Sequence, residues 1–327
     1  AMSGVLAMYL NGCNIVKPQV VVTLIMIVCV IPAKWYGCAV GGLSGMVPLA
    51  GVTEVMGQVR PGHALAGVPV VTGTMDGWCA LYGAGGIRDG AGAYVSGTSE
   101  VLGLAAQTVH PTPGVIVFPD LAGVRLHAGP TQSGGAALAW FCTLSGQTPD
   151  AVEAMVAAHP RAPLTPLFLP HLQGERAPLW DMQARGTLAG LTGATGPAEM
   201  TAAVLEGVAF SARLALEALE RSGGVVPDRI RTGGGGAASD RWCQIRADAL
   251  NRPLDRVQGR DPGALGAAVM AGVGCGAMQN LAQAAGALVL TDRTFLPNPQ
   301  AAALADSRYA IWQQLYAQIR PINAQLA

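Results

Sequence analysis

Two glycine-lined helix entries, close together in the chain, constrain this sequence more than any other feature. Residues 186–206 read GTLAGLTGATGPAEMTAAVLE, a strand and glycine turn leading into a long helix. Residues 232–248 read TGGGGAASDRWCQIRAD, a run of four glycines feeding a second helix. Glycine has no Cβ, so backbone at such places can lie flat against a flat ligand, and a helix N-terminus favours an anion. Together the two segments suggest a nucleotide site.

The elements around them are regular. Pro197 follows Gly196 and suits a first helical position, and Glu199 falls in the first turn, where the helix dipole favours a carboxylate. Met200, Val204, Val208, Ala212, Ala215 and Leu219 recur at intervals of three and four, which predicts a helix to about Ser222 with one buried face. Strand 230–232, helix 240–250, strand 254–257 and helix 264–273 then read as a β-α-β-α unit. Upstream, a β run at 68–72 ends in Gly73-Thr74-Met75-Asp76, followed by a helical stretch 77–82 and the loop GAGGIRDG. Strands are expected at 93–96, 101–105 and 124–128, and helices at 135–143 and 149–158. The tail 301–324 reads as a surface helix. Adjacent strands followed by alternating strand and helix indicate an α/β layered domain.

Composition narrows the class. The chain is 51% hydrophobic and 12% charged, as a compact folded protein is, and its formal net charge of +0 supports neither nucleic-acid binding nor a membrane-surface role. The 7 cysteines form no CxxC pair and no zinc spacing with histidine, so reduced thiols in a cytoplasmic protein are expected. Residues 1–48 differ from the rest. They hold Lys17 and Lys34, no acid precedes Glu54, and every later Lys/Arg position is arginine. The apolar run Val20 to Ile31 is short for a bilayer span and badly placed for a signal peptide. Residues 1–48 are therefore expected to be an atypical leader or remnant, and 49–327 a single domain with a C-terminal helix.

Several positions carry chemistry under one reading and structure under another. Gly97-Thr98-Ser99 sits at a strand-to-strand turn, which serves equally as a hairpin or as an anion nest. Asp76 opens a helix after a strand, as an N-cap or as a base at the sheet's active edge. The glycines 233–236 form either a loose loop or a nucleotide seat. Glu175-Arg176 reads as a structural tether between a loop and the sheet. No GxxxxGK, GxGxxG or GxSxG pattern is present, which removes the P-loop, the dinucleotide fingerprint and the hydrolase elbow.

From about residue 48 onward the chain resembles the C-terminal half of the FGGY family of carbohydrate kinases. GTLAGL at 186–191, the gap from Thr192 to Ala198, Glu199-Met200 and Ala203-Val204-Leu205-Glu206 match that family's second signature. The blocks LPHLQGERAPLWDMQARG, EGVAFSARLALEAL, GGGGAASDRWCQIRADAL and ALGAAVMAGVG follow in the family's order. The GER-P block and TQSGGAALAW look most like its xylulokinase branch. The resemblance implies an actin-like ATPase (ribonuclease H-like) domain, a mixed sheet flanked by helices. It further implies transfer of a phosphoryl group from ATP, with Mg²⁺, to a xylulose-like sugar or a polyol. Asp76 matches the family's catalytic base, and Gly97 and Thr98 match the turn that holds the ATP phosphates. Gly186 matches a residue lining the nucleotide cleft, and Gly235, Gly236 and Ala237 match the loop against adenosine. Asp240 falls where relatives carry an asparagine near the adenine.

Family members begin with a domain bearing an Asp-x-Gly-Thr motif and most sugar contacts, and this sequence has no such motif. A missing N-terminal kinase domain is thus an expected partner. Two readings stand: a truncated sugar kinase, or a non-catalytic nucleotide-binding module or inactive remnant.

Overall fold

The computed structural model of the chain describes residues 53–59, 66–74, 76–121, 123–158, 165–259 and 261–326. The leader 1–48 lies outside them. Two short strands, β1 (Val55–Gln58) and β2 (Pro69–Val71), pair with each other and precede helix α1 (Asp76–Gly83). Three longer strands, β3 (Gly92–Ser96), β4 (Glu100–Ala106) and β6 (Arg125–Pro130), are joined antiparallel, with β5 (Ile116–Val117) at their edge. Helices α2 (Gly135–Ser145) and α3 (Pro149–Ala158) follow, then a separate hairpin of β7 (Leu167–Leu169) and β8 (Thr187–Ala189).

The second half alternates. Helix α4 (Pro197–Gly223) leads to β9 (Ile230–Gly233), a 3₁₀ turn (Gly235–Ala238), α5 (Asp240–Leu250), β10 (Leu254–Val257) and α6 (Pro262–Gly274). The chain closes with α7 (Leu281–Leu288), β11 (Thr291–Phe295) and α8 (Pro299–Leu326). The main sheet has 7 strands in the order β11-β10-β9-β3-β4-β6-β5. It is mixed because β9 lies parallel to both β3 and β10 while the other pairs are antiparallel. The β-α-β-α unit is present as expected.

Side-chain alternation along the strands builds a core on each face of the sheet. Ala93, Ala105, Leu126 and Ala128 pack with Trp78 and Leu81 of α1, Val269 and Met270 of α6, and Leu281 of α7. Tyr94, Leu102, Leu104, Ile230 and Leu254 point the other way, onto Leu216 and Leu219 of α4 and Cys243 and Ala247 of α5. Helix α4 is buried along most of its length. Its first turn is closed by the Glu199 carboxylate, which accepts from the Gly196 amide at 2.9 Å.

The C-terminal helix corrects the expectation of a surface element. Ala305, Tyr309 and Trp312 are buried at helical spacing and join a third cluster with Phe168, Val208 and Phe210. Trp312 donates to the Phe168 carbonyl at 2.8 Å, and buried Arg308 bonds Glu206 of α4 at 2.6 Å and the Thr165 carbonyl at 2.7 Å. Ala302, Ala305 and the charged Arg308 share the buried stripe with Tyr309 and Trp312 and dilute its apolar signal in the sequence, which hides this face.

Helices α1 and α6 meet through glycine. A Cβ at Gly266 would stand 1.8 Å from the Cys79 carbonyl oxygen, and one at Gly83 would stand 1.8 Å from that of Pro262. Gly266→Ala must push the two helices apart and is expected to cost about 1–3 kcal/mol. Gly286, inside α7, has nothing within 4 Å of an added Cβ, and Gly286→Ala is expected to stabilise by about 0.5–1 kcal/mol. Urea unfolding of both variants checks the contrast. Equal midpoints would mean that the helix contact is not set by these glycines.

Candidate functional site

The parallel pairing of β3 with β9 puts their C-terminal ends side by side, with Val95 opposite Gly233. Each end then turns through glycine. After β3 the chain makes a tight turn, the Gly97 amide donating to the Ser99 carbonyl at 2.9 Å, before β4 returns. After β9 it passes Gly234 at φ 92° into the 3₁₀ turn. Two loops expected from the sequence to hold one ligand are therefore neighbours.

Ser96, fully buried at the end of β3, is the point where they touch. A Cβ on Gly236 would stand 2.2 Å from Ser96 Oγ, and one on Gly234 would stand 2.4 Å from the Ser96 carbonyl oxygen. A Cβ on Gly233 would stand 2.4 Å from Pro262 Cγ. Packing thus explains glycine at three of the four positions of the run. It does not explain Gly235, which is exposed and has nothing within 4 Å of an added Cβ. Gly97 is likewise exposed, and its only neighbour at that range is the Ser99 carbonyl at 3.4 Å, an ordinary contact. The bare surface at Gly97 and Gly235 is a cradle that side chains would fill.

The N-terminus of α2 completes the arrangement, and sequence reasoning missed it. The amides of Gly134 and Ala136 donate to the Thr98 carbonyl at 3.1 and 3.0 Å, and that of Gly135 to the Gly97 carbonyl at 2.8 Å. These bonds occupy the carbonyls of the hairpin turn. Among the described residues no hydrogen bond engages the Thr98 or Ser99 amide, leaving both donors for solvent or an anion. Glycine is required at 134, where a Cβ would meet Glu100 Cγ at 2.4 Å. The doublet Gly134-Gly135 directly before an apolar helix was the available signal.

Beneath both loops lies a buried ion pair that the sequence reading also passed over. Arg246 of α5 and Glu100 of β4 are both wholly enclosed, with Arg246 Nη2 2.6 Å from Glu100 Oε1. Nη2 also donates to Ser96 Oγ at 2.7 Å, and Nη1 to the Gly236 carbonyl at 2.9 Å. Glu100 accepts from Tyr94 Oη at 2.5 Å and from Ser96 Oγ at 2.8 Å. The guanidinium lies 3.9 Å from the Trp242 ring centroid. Burial pushes the Glu100 carboxyl up from its ordinary value while Arg246 draws it down. Burial also opposes the Arg246 charge, but Tyr94 and Glu100 hold its pKa above the usual arginine value. The directions on the two partners conflict. With three donors on the two carboxylate oxygens, the geometry is that of a charged pair. Both residues occupy core-facing positions, Glu100 in step with Leu102 and Leu104, Arg246 in step with Trp242. A charge at a core period was the missed clue.

The remaining expected residues are placed as follows. Asp76 opens α1, and its side chain lies outside the described residues. Gly186, just before β8, is exposed, and an added Cβ would come within 2.6 Å of Leu172 Cδ2, the movable end of that side chain. The Ala237 side chain is buried in the core, and its carbonyl accepts from Arg256 at 3.3 Å. Asp240 is paired with Arg256 at 2.6 Å and with Arg293. Glu175 is a tether: fully buried, it accepts from Ser211 at 3.0 Å and contacts His171 at 2.9 Å, while Arg176 bonds the Thr131 carbonyl. Among the described residues no group of His, Cys, Asp and Glu is arranged to hold a metal, and no helix is long and apolar enough to cross a membrane.

Comparison with known proteins shows the family to which the chain belongs. Residues 92–275 match the C-terminal domain of the FGGY family of carbohydrate kinases. Xylulose kinase of Escherichia coli is 32% identical over 283 residues, covering 83% of this chain and 58% of that protein. Glycerol kinase of a Geobacter species is 31% identical over 285 residues, covering 83% of this chain and 56% of its own length. The ligand-bound crystal structure of xylulose kinase from Lactobacillus acidophilus superposes with a TM-score of 0.78 at 25% identity, over 85% of this chain and 58% of that one. The chain spans about half the length of the curated relatives it matches.

The geometry separates glycines held by packing from glycines left bare. Gly236→Ala forces Ser96 and the buried pair to move and is expected to cost about 1–3 kcal/mol. Gly235→Ala and Gly97→Ala are expected to stay within about 0.5 kcal/mol of the native chain. Chemical denaturation of the three variants reads this directly, and a large loss at Gly235 would contradict the open cradle.

Proposed function

The chain belongs to the FGGY family of carbohydrate kinases, and from this we propose that it forms the ATP-binding side of a kinase site that phosphorylates a sugar or polyol hydroxyl. The observation that carries the proposal is the bare backbone at Gly97 and Gly235, two glycines the packing does not demand, on adjoining loops. Phosphate oxygens would lie against the Thr98 and Ser99 amides, where a turn's N–H groups and hydroxyls suit an anion. The adenosine would lie along Gly235 and Gly236 and the Ala237 backbone, with Asp240 beside them, and Gly186 is proposed as a further lining residue on the family resemblance. The xylulose and glycerol kinases among its relatives point to a xylulose-like sugar or glycerol as acceptor.

Asp76 is proposed as the base. It takes the hydroxyl proton as that oxygen bonds the γ-phosphorus, while the bond from phosphorus to the bridging oxygen breaks and ADP leaves. Proton removal is a minor part of the rate; positioning and charge neutralisation lower most of the barrier. Among the described residues no group of side chains forms a Mg²⁺ cage. Magnesium would come with the nucleotide.

Because the chain spans about half of its relatives' length, turnover is proposed to need an opposing wall that excludes water and contacts the phosphates. Titration calorimetry with Mg·ATP is expected to show weak binding. A coupled ADP-release assay on D-xylulose and on glycerol is expected to show little turnover from this chain. Gly235→Leu, with a side chain in the cradle, is expected to weaken ATP binding at unchanged stability. Binding unaffected by that change would remove the loop from the nucleotide site. In an active form that includes the opposing domain, Asp76→Asn is expected to lower turnover by about 10²–10⁴-fold and to leave ATP affinity near native. Undiminished turnover would take the base role away from Asp76. The same half-length span favours a second reading, a nucleotide-binding module without turnover, which binding with no ADP release on any acceptor would support.

A further inference from the structure

We propose that Arg246, through its buried pair with Glu100, is a positioning residue that holds the β3–β4 hairpin and the 3₁₀ turn at a fixed distance. The inference rests on the nucleotide reading of those two loops.

One guanidinium bridges both. Its Nη1 bonds the Gly236 carbonyl of the 3₁₀ turn at 2.9 Å, and its Nη2 bonds Ser96 Oγ and Glu100 Oε1 at 2.7 and 2.6 Å, on either side of the hairpin turn. Arg246 is a rigid planar fork, so the three acceptors are held relative to one another rather than merely attracted. Glu100 extends the frame on two sides. Its backbone carbonyl accepts the Thr131 amide at 2.9 Å, and its Cγ limits how closely Gly134 at the start of α2 can approach. Tyr94 and Ser96 orient the carboxylate from within β3. The hairpin turn assigned to the phosphates and the 3₁₀ turn assigned to the adenosine therefore both touch this pair, directly or through one bond.

The pair's energetics favour positioning over bulk stability. A buried ion pair gives up much of its attraction to desolvation, and an apolar replacement of both partners is often neutral for folding. Desolvation is recovered here only through full hydrogen bonding of the carboxylate and a ring contact for the guanidinium. A pair retained for stability alone could be replaced by leucine-like side chains of similar volume, whereas the bridge to the Gly236 carbonyl could not.

The test separates the two roles. Arg246→Met combined with Glu100→Gln removes the charge from both partners; glutamine keeps the shape of glutamate, and methionine keeps the apolar stem of the arginine without its fork. Arg246→Lys keeps the charge but cannot reach Gly236, Ser96 and Glu100 at once. Both variants are assayed well below their melting temperatures, where they are folded, so a merely structural role would leave ligand affinity alone. Titration with Mg·ADP is expected to show about tenfold weaker binding in each, the scale of one lost hydrogen bond to a ligand. Amide hydrogen exchange is expected to quicken at residues 97–99 and 235–238 while α4 stays protected. Native affinity together with native exchange in a folded variant would overturn the proposal. If the native chain itself does not take up Mg·ADP, the nucleotide reading fails, and loop exchange alone decides the inference: unchanged protection at both loops overturns it. If the double variant does not fold, Arg246→Lys carries the same two readings.

Discussion

The parallel pairing of β3 with β9 is the contact on which the rest of the molecule depends. It joins an antiparallel half of the sheet, β3-β4-β6, to a parallel half, β9-β10, across the intervening helices. Each strand must leave the sheet at its C-terminal end, and parallel neighbours leave at the same edge. Two turns distant in sequence therefore arrive together, and α/β sheets bind ligands at this kind of edge. The pairing is protected from both faces, because Tyr94 and Ile230 pack onto α4 and α5 while Ala93 packs onto α1 and α6. Thr232 adds a bond of 2.9 Å to the Tyr94 carbonyl across the junction.

Close backbone approach is the second theme, and glycine serves it in two distinct ways. At Gly83 and Gly266 it lets two helices touch, and at Gly234 and Gly236 it lets a turn lie on Ser96. At Gly235 no protein atom takes up the space, and at Gly97 an added Cβ would meet only the Ser99 carbonyl oxygen at an ordinary 3.4 Å. The difference matters because a glycine in a fold costs conformational entropy. Where packing does not account for that cost, as at Gly97 and Gly235, the proposed nucleotide would.

Buried charge is the third. Arg246 of α5 with Glu100 of β4, and Arg308 of α8 with Glu206 of α4, are two enclosed arginine–carboxylate pairs. Each arginine also bonds backbone carbonyls, Gly236 in one case and Thr165 and Pro166 in the other. Removing one partner of such a pair leaves a buried charge alone, which costs far more than the pair contributes. Their value lies in fixing where loops and helices sit relative to one another.

What the sequence determined by itself was local. Periodicity placed α4 to within a residue, located α5 and β10 at their bounds, and marked the glycine turns, because a helix face or a strand alternation is written in neighbouring residues. The ordered FGGY blocks carried the family and with it the kind of sheet. Short edge strands such as β5 and β11, and the mixed face of α8, were missed, since a two-residue strand or an alanine-diluted stripe has little periodic signal. Only the tertiary structure decided which glycines are held by packing and which are bare, and that Glu100 and Arg246 meet beneath them. Those facts depend on pairs such as Ser96 and Gly236, or Glu100 and Arg246, that are far apart along the chain. Nothing local in either segment encodes the partner that the fold brings to it.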